Sequence, residues 1–163
     1  DFHDASETVQ PLPFALMRDN YPMLNGRGYP DTADMMQPMA PMMANPRNGH
    51  STQLEDSRIE ANSGDRVLLR LSNLSVTRFF TLTSLSIPME VVGNNSRLYR
   101  GPDGKDLYYK TSSVTMGGGE SMDVILDTTG IPAGTYFIYT TNMNYLSNNE
   151  EDFGGMMTEI IIN

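Results

Sequence analysis

The chain has 163 residues and a formal net charge of −9; 39% of its residues are apolar and 19% charged. That length supports one buried core, and the negative surface repels phosphate, which argues against nucleic acid as a partner. Cysteine is absent and histidine occurs twice, which excludes disulfides, thiolate nucleophiles, zinc fingers, iron–sulfur clusters, a three-histidine zinc site and a His2Cys copper centre.

Residues 1–56 lack a regular apolar pattern and hold prolines at 11, 13, 22, 30, 38, 41 and 46. Proline fixes φ and removes a donor, so extended loops are predicted here, with one short strand around Tyr21–Leu24. Five of the thirteen methionines, Met35, Met36, Met39, Met42 and Met43, lie in one low-complexity stretch. This segment is expected to pack on the domain or link to it.

From Ser57 onward, short strands alternate with turn signals. Asn62-Ser63-Gly64-Asp65 is turn chemistry before a strand at Val67–Leu71 with a mostly buried character. A half-buried strand follows over Phe80–Leu85, and another over Met89–Val92. Asp103-Gly104 predicts a tight turn between Arg97–Tyr99 and Leu107–Lys110. Ser113–Met116 and Ser121–Leu126 flank three glycines, Gly117 to Gly119, which read as a flexible hairpin connection. No Lys-Ser/Thr follows them, so they are no phosphate loop. Thr135–Thr140 and Thr158–Ile162 complete about eight or nine strands, with no amphipathic helix of ten residues. The fold class is all-β, a Greek-key sandwich or barrel with a long irregular N-terminal segment, one domain with its body at 57–163. No run of 18 apolar residues is present, so no membrane span is predicted. The chain opens at Asp1 without a signal-peptide pattern and reads as mature or excised.

Six stretches in order resemble a cupredoxin-type (plastocyanin-like) domain of the multicopper oxidase family, as found in large bacterial multicopper and manganese oxidases. They are Asn25-Gly26-Arg27-Gly28-Tyr29-Pro30-Asp31-Thr32, Gly64–Leu74, Met89-Glu90-Val91-Val92-Gly93, Gly119–Val124, Ile131–Phe137 and Gly154–Ile160. The resemblance implies a cupredoxin-like fold. It also implies a parent enzyme that oxidises a metal ion or organic substrate and reduces dioxygen.

The copper positions depart from the family pattern. Phe80–Ile87 stands where copper-bearing domains carry clustered histidines, and it has none. The family's His-Cys-His triplet falls near Thr140, Thr141 and Asn142, and its next histidine near Asn149. Only the methionine has a match, at Met156 or Met157. A lone thioether does not hold a type 1 copper, whose affinity comes from thiolate and imidazoles. The resemblance therefore implies vestigial copper-site positions and no copper in this domain, with copper in the parent enzyme and sister cupredoxin domains as partners.

Other candidates carry two readings each. The Met35–Met43 segment is a soft-ligand Cu(I) site or an adaptable packing loop. Glu150-Glu151-Asp152, with Glu120 and Asp123, is a hard-cation site or a solvated face. His3 and His50 read as solvated loop residues rather than ligands. Tyr108, Tyr109, Tyr136 and Tyr139 are a sugar-stacking platform or core and edge cover. Asn73 and Asn94 open glycosylation acceptor patterns. The leading expectation is a non-catalytic, architectural domain in an extracytoplasmic setting. Its rivals are a Met-rich Cu(I)-handling module and a free-standing β-sandwich interaction module.

Overall fold

A computed structural model of the chain describes residues 20–33, 56–148 and 154–163. Within them the alternation of apolar and polar residues resolves into ten strands in two sheets. They are β1 (Ile59–Ala61), β2 (Arg66–Ser72), β3 (Phe80–Thr83), β4 (Met89–Asn94), β5 (Arg97–Leu98), β6 (Tyr109–Thr111), β7 (Ser113–Met116), β8 (Ser121–Asp127), β9 (Gly134–Thr140) and β10 (Met157–Ile162). The helical element among the described residues is a 3-10 turn at Met143–Tyr145.

One sheet has the order β1-β10-β9-β3-β7; the other has β2-β8-β4-β5, with β6 also paired to β4. The chain therefore crosses between sheets after β1, β2, β3, β6, β7 and β8, as a Greek-key sandwich requires. β1 joins β10 in parallel, and the remaining pairs are antiparallel. The one or two extra elements over the eight or nine expected include β1, whose three residues are too few to show a period.

Inward residues of both sheets, Leu82, Met89, Val91, Val114, Val124, Leu126, Ile138, Ile160 and Ile162, make one core with Ile87 from the β3–β4 connection. Ile87, Met89, Val91, Val124, Leu126 and Ile160 are fully buried. Burial of each such side chain contributes about 1.5–3 kcal/mol. The described ion pairs, Arg58–Glu60, Arg66–Glu90, Arg100–Asp106 and Lys105–Asp103, all have a solvent-exposed partner. Such pairs add about 0–1 kcal/mol each, so apolar burial holds the sandwich.

Three expectations need correction. β2 is not mostly buried: Val67, Leu69 and Leu71 are half-buried while Arg66, Leu68, Arg70 and Ser72 are exposed. The strand lies at a sheet edge and shows water one face. Gly117–Gly119 form no hairpin, because β7 pairs with β3 and β8 with β2 and β4, so the glycines cross between sheets. Around Tyr21–Leu24 the chain forms no strand, only an isolated bridge from Leu24 to Arg27 closed by two backbone hydrogen bonds of 2.8 and 3.0 Å. Asn25 and Gly26, at the tip of that turn, take positive φ of 49° and 80°.

The Asp103-Gly104 turn forms as predicted. Gly104 has φ of +82°, Arg100 bridges Asp106, and Leu107 N–H donates to the Tyr99 carbonyl at 2.9 Å. Residues 20–33 dock onto the sandwich. Tyr29 N–H donates to Gly155 O at 3.0 Å and Ser57 N–H to Thr32 O at 2.7 Å. The fully buried Thr32 donates its hydroxyl to the Met157 carbonyl.

Candidate functional site

β9 ends and β10 begins at the same end of the sandwich, because the two strands pair antiparallel from Met157↔Tyr139 to Ile162↔Gly134. The positions that the family resemblance singled out therefore meet here. Thr140, the last residue of β9, is fully buried. Its N–H donates to the Met156 carbonyl at 2.9 Å. Its Oγ1 accepts from Asn142 N–H at 3.2 Å. Asn142 in turn accepts the Asn144 N–H on its Oδ1 at 3.1 Å and so caps the 3-10 turn. Thr141 is exposed, and its N–H donates to Thr81 O at 3.0 Å. Met156 is only 6% exposed and belongs to the apolar core, with its N–H on the Tyr145 carbonyl at 2.8 Å. Met157 is half-buried.

The structure thus brings together Thr140, Asn142 and Met156, with Thr141 at the rim. Asn149 lies outside the described residues, as do Met35, Met36, Met39, Met42, Met43, His3, His50 and Glu150–Asp152. The donor set assembled from the described positions is a hydroxyl, an amide and a thioether. Thr140 Oγ1 and Asn142 Oδ1 already serve the local turn. Type 1 copper needs a thiolate and two imidazoles, so these residues do not fit it.

The stretch Phe80–Ile87 is equally committed to packing. The Phe80 ring meets Tyr145 edge to face, with centroids 5.2 Å apart. Thr81 and Thr115 share a hydroxyl hydrogen bond of 2.8 Å, and Thr83 donates to Ser112 O at 2.8 Å. Leu82 and Ile87 lie in the core, while Leu85 is 71% exposed beyond β3. Among the described residues no group of three or more His, Cys, Asp or Glu gathers in a metal-binding arrangement.

Beside this end lies a buried amide, Asn148, only 5% exposed and with no hydrogen-bond partner for its Oδ1. Gly28 and Gly154 lie against it; a Cβ on either would come within 2.5 and 2.7 Å of its Nδ2. These glycines let the Asn25–Thr32 strip and the start of β10 close over the loop.

The remaining candidates separate. Tyr136 faces the core and donates its hydroxyl to Pro132 O at 2.8 Å. Tyr139 points to the opposite face of its strand. Tyr109 stacks with Tyr99, 6.1 Å between centroids, on the other sheet. The tyrosines form no single platform, because strand alternation and sheet membership divide them. Glu120 caps its own turn by accepting the Gly117 N–H at 2.6 Å. Asn73 is 5% exposed and donates to Arg78 O at 3.1 Å and Met116 O at 2.7 Å; its glycosylation pattern is a buried structural anchor in the folded chain. This anchor was invisible in the sequence, since only the carbonyls it reaches reveal its role.

Electrostatic perturbation is confined to the periphery. The Tyr29 hydroxyl, half-buried, donates to Glu159 Oε1 at 3.0 Å. Burial first, then the hydrogen bond and the Glu159 charge, push it above its ordinary value.

The architecture defines a cupredoxin-like sandwich, and at this end the described positions that the family resemblance singles out hold packing and capping residues. A family model for multicopper oxidases matches residues 4–163, and the chain belongs to that family. Solved structures with this fold include the blue copper oxidase from Nitrosomonas europaea, at 23% identity and TM-score 0.50 over 64% of this chain and 30% of that one. The multicopper oxidase mgLAC aligns at 20% identity and TM-score 0.54, over 65% of this chain and 31% of that one. The laccase from Botrytis aclada aligns at 19% identity and TM-score 0.51, over 64% and 18%. The chain therefore spans about a third or less of the length of these solved relatives. No curated protein matches the chain significantly. No helix among the described residues is long and apolar enough to cross a membrane.

Proposed function

We propose that the chain is a copper-free, cupredoxin-like domain with an architectural role in a longer multicopper oxidase. In that reading residues 57–163 are the domain body, and residues 1–56 pack on it or link it to a neighbour. Sister cupredoxin domains carry the copper and couple oxidation of a metal ion or organic substrate to dioxygen reduction. The setting is extracytoplasmic. The observation that carries the reading is Thr140. By resemblance it falls near the family's ligand triplet; it is fully buried, and its hydroxyl accepts the Asn142 N–H. The match to solved chains of which it covers 30%, 31% and 18% supports a multidomain parent.

The test is metal content by mass spectrometry after anaerobic Cu(I) loading and dialysis, with Cu(II), Mn(II) and Ca(II) loaded in parallel. The expected result is no retained metal. Retained Cu(I) that disappears when Met35, Met36, Met39, Met42 and Met43 are changed to Leu would overturn the reading in favour of a Cu(I)-handling module.

A further inference from the structure

The chain crosses from β2 in one sheet to β3 in the other through residues 73–79. Side-chain hydrogen bonds fix the shape of this crossing. Asn73 donates to the Arg78 and Met116 carbonyls and accepts the Ser75 N–H at 2.8 Å. Ser75 Oγ donates to Arg78 O at 2.7 Å. Two backbone hydrogen bonds, Gly119 N–H to Asn73 O at 2.8 Å and Asn73 N–H to Glu120 O at 2.9 Å, tie it to the β7–β8 crossing. That second crossing presses against it. A Cβ on Gly118 would overlap the Ser75 carbonyl, and one on Gly117 would stand 2.8 Å from the Phe79 ring.

A segment braced in this way ordinarily buries its apolar side chains. This one displays them: Leu74 is 88% exposed, Val76 64% and Phe79 74%. Met143, 72% exposed, stands on the 3-10 turn at the same end of the sandwich. A shallow cleft beside Phe79, bounded by Gly117, Gly118 and Glu120, adds a recess to the projection. Single exposed apolar residues need no explanation, but a pre-ordered cluster does. Order before contact lowers the entropic cost of docking.

The occupant follows from charge and length. A net charge of −9 opposes a second copy of the chain and an anionic membrane surface alike. The solved relatives are three or more times longer than this chain's share of them. A covalently tethered neighbour meets the loop at high effective concentration, so a small apolar contact suffices. We propose that the 73–79 loop is the docking surface for a sister cupredoxin domain of the same polypeptide. Phe79 is its anchor, and Leu74 and Val76 flank it. This rests on the reading of the chain as one domain of a longer oxidase.

Hydroxyl-radical footprinting tests it, on the intact polypeptide and on the 163-residue chain alone. Labelling of Leu74, Phe79 and Met143 should fall about tenfold in the intact polypeptide, as expected for side chains at a desolvated interface core. Leu85 and Leu107, exposed elsewhere on the domain, should label equally in both. Unchanged labelling of Leu74 and Phe79 would overturn the proposal. So would protection in the chain alone that grows with its concentration, which would assign the loop to a second copy. Copper retained by the chain alone would sink the copper-free reading and leave the footprint as it stands, so the two failures are distinguishable.

Discussion

The side-chain amide of Asn73 donates to the Met116 carbonyl at 2.7 Å across 43 positions of the chain. One hydrogen bond thereby fastens the end of β2 to the end of β7, strands of different sheets. The same side chain holds Arg78 O and Ser75 N–H, so three backbone groups rely on it. Asn73→Ala removes all three hydrogen bonds next to the core and leaves Arg78 O with only the Ser75 hydroxyl. The expected loss is about 3 kcal/mol, given the cost of orphaned buried polar groups, read from urea unfolding monitored by circular dichroism.

Two neighbouring glycines should fail for different reasons. Gly118 has no room, since an added Cβ meets the Ser75 backbone; Gly118→Ala should cost about 1–3 kcal/mol by overpacking. Gly119 has open space but a φ of +84°; Gly119→Ala should cost about 1–2 kcal/mol through left-handed strain. Asparagine discriminates between them in the same unfolding assay. Gly119→Asn should recover part of the loss, because Asn tolerates that conformation, whereas Gly118→Asn should be worse than Gly118→Ala.

Burial sets the scale for apolar truncations. Ile160 is fully buried at the centre of β10, and Ile160→Ala should destabilise by about 2–5 kcal/mol through lost burial and a cavity. Leu74, 88% exposed, should give a Leu74→Ala change within about 0.5 kcal/mol in the same chain. A large loss for Leu74→Ala in the chain alone would mean that the loop supports its own domain.

Alkaline pH should act through Tyr29. Its hydroxyl is raised above 10.0 in the fold, chiefly by burial and then by Glu159. Below 10.0 both folded and unfolded states keep the proton, and its contribution is fully present. Above 10.0 the unfolded state loses its proton first, so this contribution falls as pH rises toward the folded value. Tyr29→Phe should flatten that part of the stability profile as pH rises above 10.0. An unchanged slope would exclude Tyr29 as its source.

The acid side has its counterpart in Asp127, whose carboxylate lies below its ordinary 3.8, first through the Thr129 side-chain hydrogen bond and then the Thr129 N–H. Its contribution is present above 3.8 and disappears as pH falls through the folded value. Asp127→Asn should reduce the acid sensitivity of unfolding in that range.

Much of the strand framework is legible in the sequence. β4, β7, β8, β9 and β10 fall where alternation and turn residues placed them, because each is long enough to show a period and is bounded by Gly, Asn or Pro. The Asp103-Gly104 turn was readable for the same local reason. β1 was not, since three residues carry no period. The exposed face of β2 was misread, because Val67-Leu68-Leu69 is an apolar run whether its strand is central or at an edge. The Gly117–Gly119 run reads as a hairpin in the sequence, since glycine marks a change of direction without saying which sheet comes next.

The positions that the family resemblance singles out divide along the same line. Missing cysteine, and missing histidine at Phe80–Ile87 and Thr140–Asn142, is a matter of residue identity, and the sequence alone decides it. Donor chemistry does not depend on the fold. That Thr140 is fully buried against Met156, that Asn142 caps a turn, and that Asn73 holds a loop with Phe79 outward were decided only by tertiary structure. Each depends on contacts between residues distant in the chain, and neither composition nor local pattern encodes which distant backbone groups a side chain will reach.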